Sequence, residues 1–149
     1  MSFSEFAQKD YEVIARNYAD LKEAARKRCA GEQELAVVQK AFDFANEAHK
    51  NVRRRSGEPY ILHPIAVAKI VVNDIGLGYK SIAAALLHDV VEDTDYTVDD
   101  IRHIFGDKIA SLVEGLTKIK NVLDNQDKKN KDDANSESLQ AENFKRILL

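Results

Sequence analysis

Over residues 32–49 the apolar side chains Leu35, Val38, Phe42 and Ala45 recur at intervals of three and four, and His49 extends the row. That spacing predicts a helix with one buried face. Upstream, Phe3, Phe6, Val13, Ile14, Tyr18 and Leu21 are less regular and fit one or two leading helices, with Gly31 as the stop. The pattern breaks over residues 50–64, where Gly57, Pro59 and Pro64 make a shaped loop. Pro64 suits the first position of a helix, which puts His63 at or near its N-cap. That helix runs over residues 65–75 and stops at Gly76. Residues 81–91 are apolar on nearly every side, the mark of a helix buried all round. Thr97 followed by Asp100 forms a capping box that opens a short helix over residues 98–105, closed by Gly106. A further helix is expected over residues 107–119.

Residues 124–138 are almost all polar and are expected to form a mobile loop, because they have little apolar surface to bury. Helical spacing resumes at Leu139 and includes Phe144, Ile147 and Leu148, then ends uncapped at Leu149, so the C-terminus reads as cut. With neither an alternating strand pattern nor an internal repeat, the expectation is one all-α domain over residues 1–149, with residues 1–31 as a leading helical segment.

Composition narrows the class. A chain of 149 residues with 44% hydrophobic content can bury one core. With 22 basic and 25 acidic residues the net charge is −3, so there is no overall basic field to hold nucleic acid directly. The lone Cys29 rules out an internal disulfide or a cysteine-rich zinc site. Neither a secretory leader nor an apolar run of about 18 residues is present, so a cytoplasmic protein with no membrane contact is expected.

Chemistry concentrates at His88-Asp89-Val90-Val91-Glu92-Asp93. On a helix, Glu92 lies one turn beyond His88, and Asp93 one turn beyond Asp89. Four titratable groups thus close an otherwise apolar helix, and a first-row cation is one way to satisfy a neutral imidazole beside a carboxylate. A chance His-Asp pair and a solvated acidic helix end fit the same residues. His63 sits among apolar neighbours at a helix start and reads by itself as a cap or core residue. Its helix directly precedes the one bearing His88, so the two histidines can meet. His49 reads as a satisfied core histidine and His103 as an ordinary surface one. Lys50, Arg53, Arg54 and Arg55 form a cationic loop with no acid from residue 48 to residue 57, suited to a polyphosphate and equally to a solvated charge run.

Taken in order, Arg54-Arg-Ser-Gly-Glu-Pro-Tyr-Ile-Leu-His63-Pro, Ala83-Ala-Ala-Leu-Leu-His-Asp-Val-Val-Glu-Asp-Thr94, Phe105-Gly and Leu116-Thr-Lys resemble the HD hydrolase domain of RelA/SpoT-homologue stringent-response proteins. The resemblance covers roughly residues 41–149. It implies an HD-superfamily helical fold that removes the 3′-pyrophosphate of the guanosine 3′,5′-polyphosphates ppGpp and pppGpp with Mn²⁺, giving GDP or GTP. Matched residue by residue, it implies His63, His88 and Asp89 as metal ligands, and Glu92 and Asp93 as the acidic pair that positions or activates water. It gives Arg54, Arg55 and Ser56 to the nucleotide, although the second basic position is often Lys in the family. It also implies downstream synthetase and regulatory domains. The family's further Asp ligand and a nearby Asn fall beyond Leu149, so residues 1–149 alone are expected to bind metal weakly and to hydrolyse ppGpp poorly. Two other readings keep parts of this picture: an HD phosphohydrolase for another nucleotide, and a non-catalytic nucleotide-binding regulatory module.

Overall fold

The computed structural model describes the backbone of residues 2–129 and the side chains of residues 3–118. Six α-helices make up almost all of it, as the spacing predicts: α1 (Gln8–Arg26), α2 (Glu32–Ala48), α3 (Leu62–Ile70), α4 (Tyr79–Asp93), α5 (Val98–Phe105) and α6 (Asp107–Lys129). The expected stripe of α2 is buried: Leu35, Val38, Phe42 and Ala45 all enter the core. Of the leading residues, Phe6, Ile14, Tyr18 and Leu21 are buried and joined by Ala25, whereas Val13 is half-buried and Phe3 exposed. Tyr18 stacks on Phe42 with ring centroids 3.8 Å apart, joining the two helices.

Helix α4 is the axis of the fold. It is buried continuously from Ile82 to Val90 and packs against α2, α3 and α6. A helix contacted on three sides needs apolar residues in every direction, which is why this segment has no polar face. The capping box forms as expected: Thr97 Oγ1 accepts from the Asp100 N–H at 3.2 Å, and Asp100 Oδ2 accepts from the Thr97 N–H at 2.9 Å.

Several boundaries differ from the sequence expectation. The leading segment is one helix ending at Arg26, and Gly31 is the N-cap of α2. Helix α3 starts at Leu62, so His63 lies within its first turn and Pro64 comes third. The Leu62 and His63 N–H groups donate to Pro59 O and Tyr60 O, which winds the chain before the proline arrives. The missing N–H of Pro64 costs little there, because first-turn N–H groups have no acceptor inside the helix. The last turn, Val71–Ile75, widens to a π-helix before Gly76 adopts the left-handed conformation with φ +76°.

Helix α6 runs to Lys129, past the start of the expected polar loop at Asp124. Residues 124–129 contain no Gly or Pro, and Gln and Lys favour helix, so polarity alone does not end it. The rest of that expected loop and the helical pattern from Leu139 lie outside the described residues. No helix among the described residues is long and apolar enough to cross a membrane.

One feature has no sequence signal. Two-residue strands β1 (Ser2–Phe3) and β2 (Val52–Arg53) pair antiparallel and fasten the N-terminus to the loop between α2 and α3. Asn51, at φ +63°, accepts from the Ser4 N–H through its backbone carbonyl and from the Phe6 N–H through its side chain. Arg53 completes the tie, donating to Asp10 Oδ2 and to the carbonyls of Glu5 and Gly57. Its guanidinium also lies over the Phe6 ring. Arg53 therefore has acidic and backbone partners supplied by distant and local chain, and its work is structural.

The Arg53 hydrogen bond holds the Asp10 carboxyl below the usual carboxylate range, helped by the Ala7 N–H. Between the folded and unfolded pKa values the unfolded chain binds more protons, so this link stabilises at neutral pH and is lost as pH falls through the folded value. Asp10→Asn should lower Tm at pH 7, with the deficit shrinking below about pH 4, where the unfolded carboxyl takes up its proton. Thermal melts across pH check this; a deficit constant down to pH 2 would assign the effect to packing instead.

Candidate metal centre

His88 and Asp89 lie near the end of α4 with 0% exposure, deeper than any other ionisable pair among the described side chains. His63 comes from the first turn of α3, which packs on α4. Each of the three offers one ligand atom, and these atoms lie within 4.8 Å of one another. His88 Nε2 is 3.3 Å from Asp89 Oδ1, and His63 Nε2 is 3.7 Å from Asp89 Oδ2. Donors sharing an ion at about 2.1 Å sit about 3.0–3.4 Å apart, so little movement is needed to close on one.

The tautomer of His88 supports that use. Its Nδ1 is 2.6 Å from Ala85 O, and a carbonyl only accepts, so Nδ1 carries the proton. In the neutral form of the ring the lone pair is then at Nε2, which is buried without a hydrogen-bond partner. Facing that lone pair towards a carboxylate is unfavourable without a cation between them. Backbone anchoring of the remote ring nitrogen is also the usual support for a metal-binding histidine. The residues present therefore fit a divalent cation.

The acidic pair separates from this buried group. Glu92 and Asp93 are exposed at the C-terminal end of α4, one turn beyond His88 and Asp89. They line a cavity of about 600 Å³ together with Phe3, His49, Thr94 and Asp95. His49 is therefore in the core, as expected, but it is not a satisfied core histidine. It is 1% exposed and its Nε2 has no hydrogen-bond partner. Burial pushes its pKa down, against the opposing pull of Asp89 and Asp93. His103 is on the surface.

Arg54, Arg55 and Ser56 line a second cavity, of about 280 Å³, with Tyr60. Arg54 is half-buried and Arg55 exposed. The loop is less bare of acid than its sequence up to residue 57 suggests. Ser56 donates to Glu58, and this hydrogen bond, more than nearby Arg54, holds the Glu58 carboxyl low. The turn itself is closed by the Arg54 N–H donating to Glu58 O at 2.9 Å.

Tyr60 is the residue that sequence reasoning passed over. Its ring lies 4.9 Å from that of His49 and 6.0 Å from that of His63, and its hydroxyl hydrogen-bonds Asp93. Burial first, then Asp89 and Asp93, pushes the phenol far above its ordinary range, so it stays protonated. An available signal is its place three residues before His63, in the loop that leads into the helix.

This geometry, two imidazoles and a carboxylate gathered by successive helices of an all-α domain, is one that could hold a metal ion. The chain matches the HD domain family over residues 41–149 and belongs to it. It is 40% identical over 117 residues to the guanosine-3′,5′-bis(diphosphate) 3′-pyrophosphohydrolase of Aquifex aeolicus, covering 78% of this chain and 15% of that protein. It is 42% identical over 118 residues to the bifunctional (p)ppGpp synthase/hydrolase SpoT of Escherichia coli K12, covering 79% of this chain and 15% of the relative. A Synechocystis protein described as a probable guanosine-3′,5′-bis(diphosphate) 3′-pyrophosphohydrolase is 44% identical over 113 residues, 76% of this chain and 14% of its own. The chain thus spans about a seventh of the length of these relatives.

If the three ligand atoms act together, metal must stabilise the fold and Asp89→Asn must remove the effect. At a free Mn²⁺ concentration about 100 times Kd, the gain is about 2.7 kcal/mol, several degrees in Tm for a domain this size. Melting curves with and without Mn²⁺ test this. An equal Tm rise in wild type and Asp89→Asn would place the metal elsewhere.

Proposed function

We propose that this chain is the hydrolase module of a longer cytoplasmic enzyme that removes the 3′-pyrophosphate from ppGpp and pppGpp, yielding GDP or GTP. The observation that carries the reading is the His63–His88–Asp89 cluster with the Glu92–Asp93 pair one turn on along α4, joined through Tyr60 to the Arg54–Arg55–Ser56 cavity. The names of the relatives supply the substrate, and the Escherichia coli relative's name supplies a synthase activity in the same polypeptide.

His63, His88 and Asp89 would hold a divalent cation, Mn²⁺ by the family resemblance. Such an ion, when bound, supplies Lewis acidity to water and to phosphoryl oxygens. Glu92 and Asp93 accept the proton of the water that attacks the 3′-linked phosphorus, sharing it as a coupled pair. The P–O3′ bond breaks, the 3′ oxygen takes up a proton, and pyrophosphate leaves. Arg54 and Arg55 offset the charge of the diphosphate, and Arg54 offers a planar face to the base. Ser56, paired with Glu58, keeps the basic loop shaped around the nucleotide.

The intact protein, given ppGpp and Mn²⁺, should release pyrophosphate and GDP, with activity lost in EDTA and in His88→Ala. Equal turnover of several unrelated nucleotides would point to a general phosphohydrolase, and nucleotide binding without turnover to a regulatory module. Arg54→Ala should raise KM about tenfold, the loss expected for one charge-assisted contact, while Tm shifts by no more than a degree or two. A large fall in Tm with KM unchanged would make Arg54 a structural residue.

A further inference from the structure

An exposed carboxylate on the last turn of a helix has several rotamers of similar energy, and general-base work needs one of them. Asp93 is in that position: it is the final residue of α4 and it is exposed. What distinguishes it is the phenol of Tyr60, which reaches it from the loop preceding α3.

Tyr60 is itself fixed at every part. Its N–H donates to Val52 O at 2.8 Å, which ties it to β2, and its carbonyl accepts the His63 N–H at 2.9 Å. Its ring lies beside both the His49 and His63 imidazoles. Through β2, the same stretch of chain is held by the β1 pairing and by Arg53 on Asp10. The hydroxyl is thus presented by a rigid frame, and as a neutral phenol facing a carboxylate it can only donate. The ring also forms one wall of the Arg54–Arg55–Ser56 cavity, so one side chain spans the metal cluster, the acid pair and the nucleotide loop.

From this geometry we propose that Tyr60 is a positioning residue: its hydroxyl holds the Asp93 carboxylate in the rotamer that faces the attacking water. The inference rests on the hydrolase reading above for Asp93's role. Tyr60 takes no proton and touches no reacting atom; it selects where the acceptor stands. A ring serving only as packing between the two histidines would not need its hydroxyl.

The test compares Tyr60→Phe, Asp93→Asn and the double variant in the intact, Mn²⁺-loaded protein acting on ppGpp. Tyr60→Phe should lower kcat about 10- to 100-fold, the factor for one hydrogen bond to a charged acceptor, with KM within about twofold. It should leave Mn²⁺ affinity by calorimetry unchanged and add no further loss in the Asp93→Asn background. Wild-type kcat in Tyr60→Phe would overturn the proposal, as would a full additional loss in the double variant. The hydrogen bond is also read without turnover, in the metal-free chain, from the Tyr60 ¹³Cζ resonance. Asp93→Asn should move that resonance, and an unmoved one would overturn the proposal. A wild-type enzyme inert to ppGpp with a resonance that does respond would instead sink the substrate assignment and leave the pairing standing.

Discussion

A carboxylate with no exposure to solvent, on the last turns of an apolar helix, is the constraint around which this structure is arranged. Moving an ion of that size out of water costs several kcal/mol even after the protein relaxes, unless compensating charge and hydrogen bonds are supplied. Asp89 is placed where a cation could be shared with two imidazoles, His88 beside it on α4 and His63 on the neighbouring helix. The His88 ring is anchored by Ala85 O, and the His63 backbone by the first turn of a helix whose entry is wound by Pro59 and Tyr60. The result is a buried cluster of two imidazoles and a carboxylate that a divalent cation would satisfy.

The rest of the fold follows from keeping that cluster dry on three sides and open on one. Helices α2, α3 and α6 surround α4, so its apolar residues are consumed in packing up to Val90. At Glu92 the helix emerges, and the next turn of the same face is exposed. One helix therefore presents the buried His88–Asp89 pair and the exposed Glu92–Asp93 pair a single turn apart.

The loop from His49 to His63 does the remaining positioning, and it works by dividing its cations. Arg53 is spent on Asp10, the Glu5 carbonyl and the Phe6 ring, which binds the N-terminal strand to the loop. Arg54 and Arg55 are left to line a cavity, and Tyr60 looks inward to the histidines and Asp93. Three consecutive arginines thus have different surroundings, Arg53 at the end of β2 and Arg54 and Arg55 in the loop and turn that follow. Stiffening by the first makes the placement of the others repeatable.

Much of this was legible along the chain. The stripes of α1 and α2, the all-round apolar character of α4 and the Thr97–Asp100 box are local patterns with a period, so they predict their elements directly. The pairing of His63 with His88 and Asp89 was also within reach, since consecutive helices pack together. What depended on tertiary structure were contacts between segments with no shared period: Arg53 with Asp10, β1 with β2, and Tyr60 with Asp93. Three adjacent arginines look alike in sequence, and only a partner 43 residues away tells the first from the others. His49 was readable as buried from its stripe, yet its unpartnered nitrogen beside the acid pair was not. Sequence determines which residues are withdrawn from water, because burial follows local periodicity. Which polar groups then meet is decided by how the helices cross and where the loop is tied, and those are properties of the assembled fold.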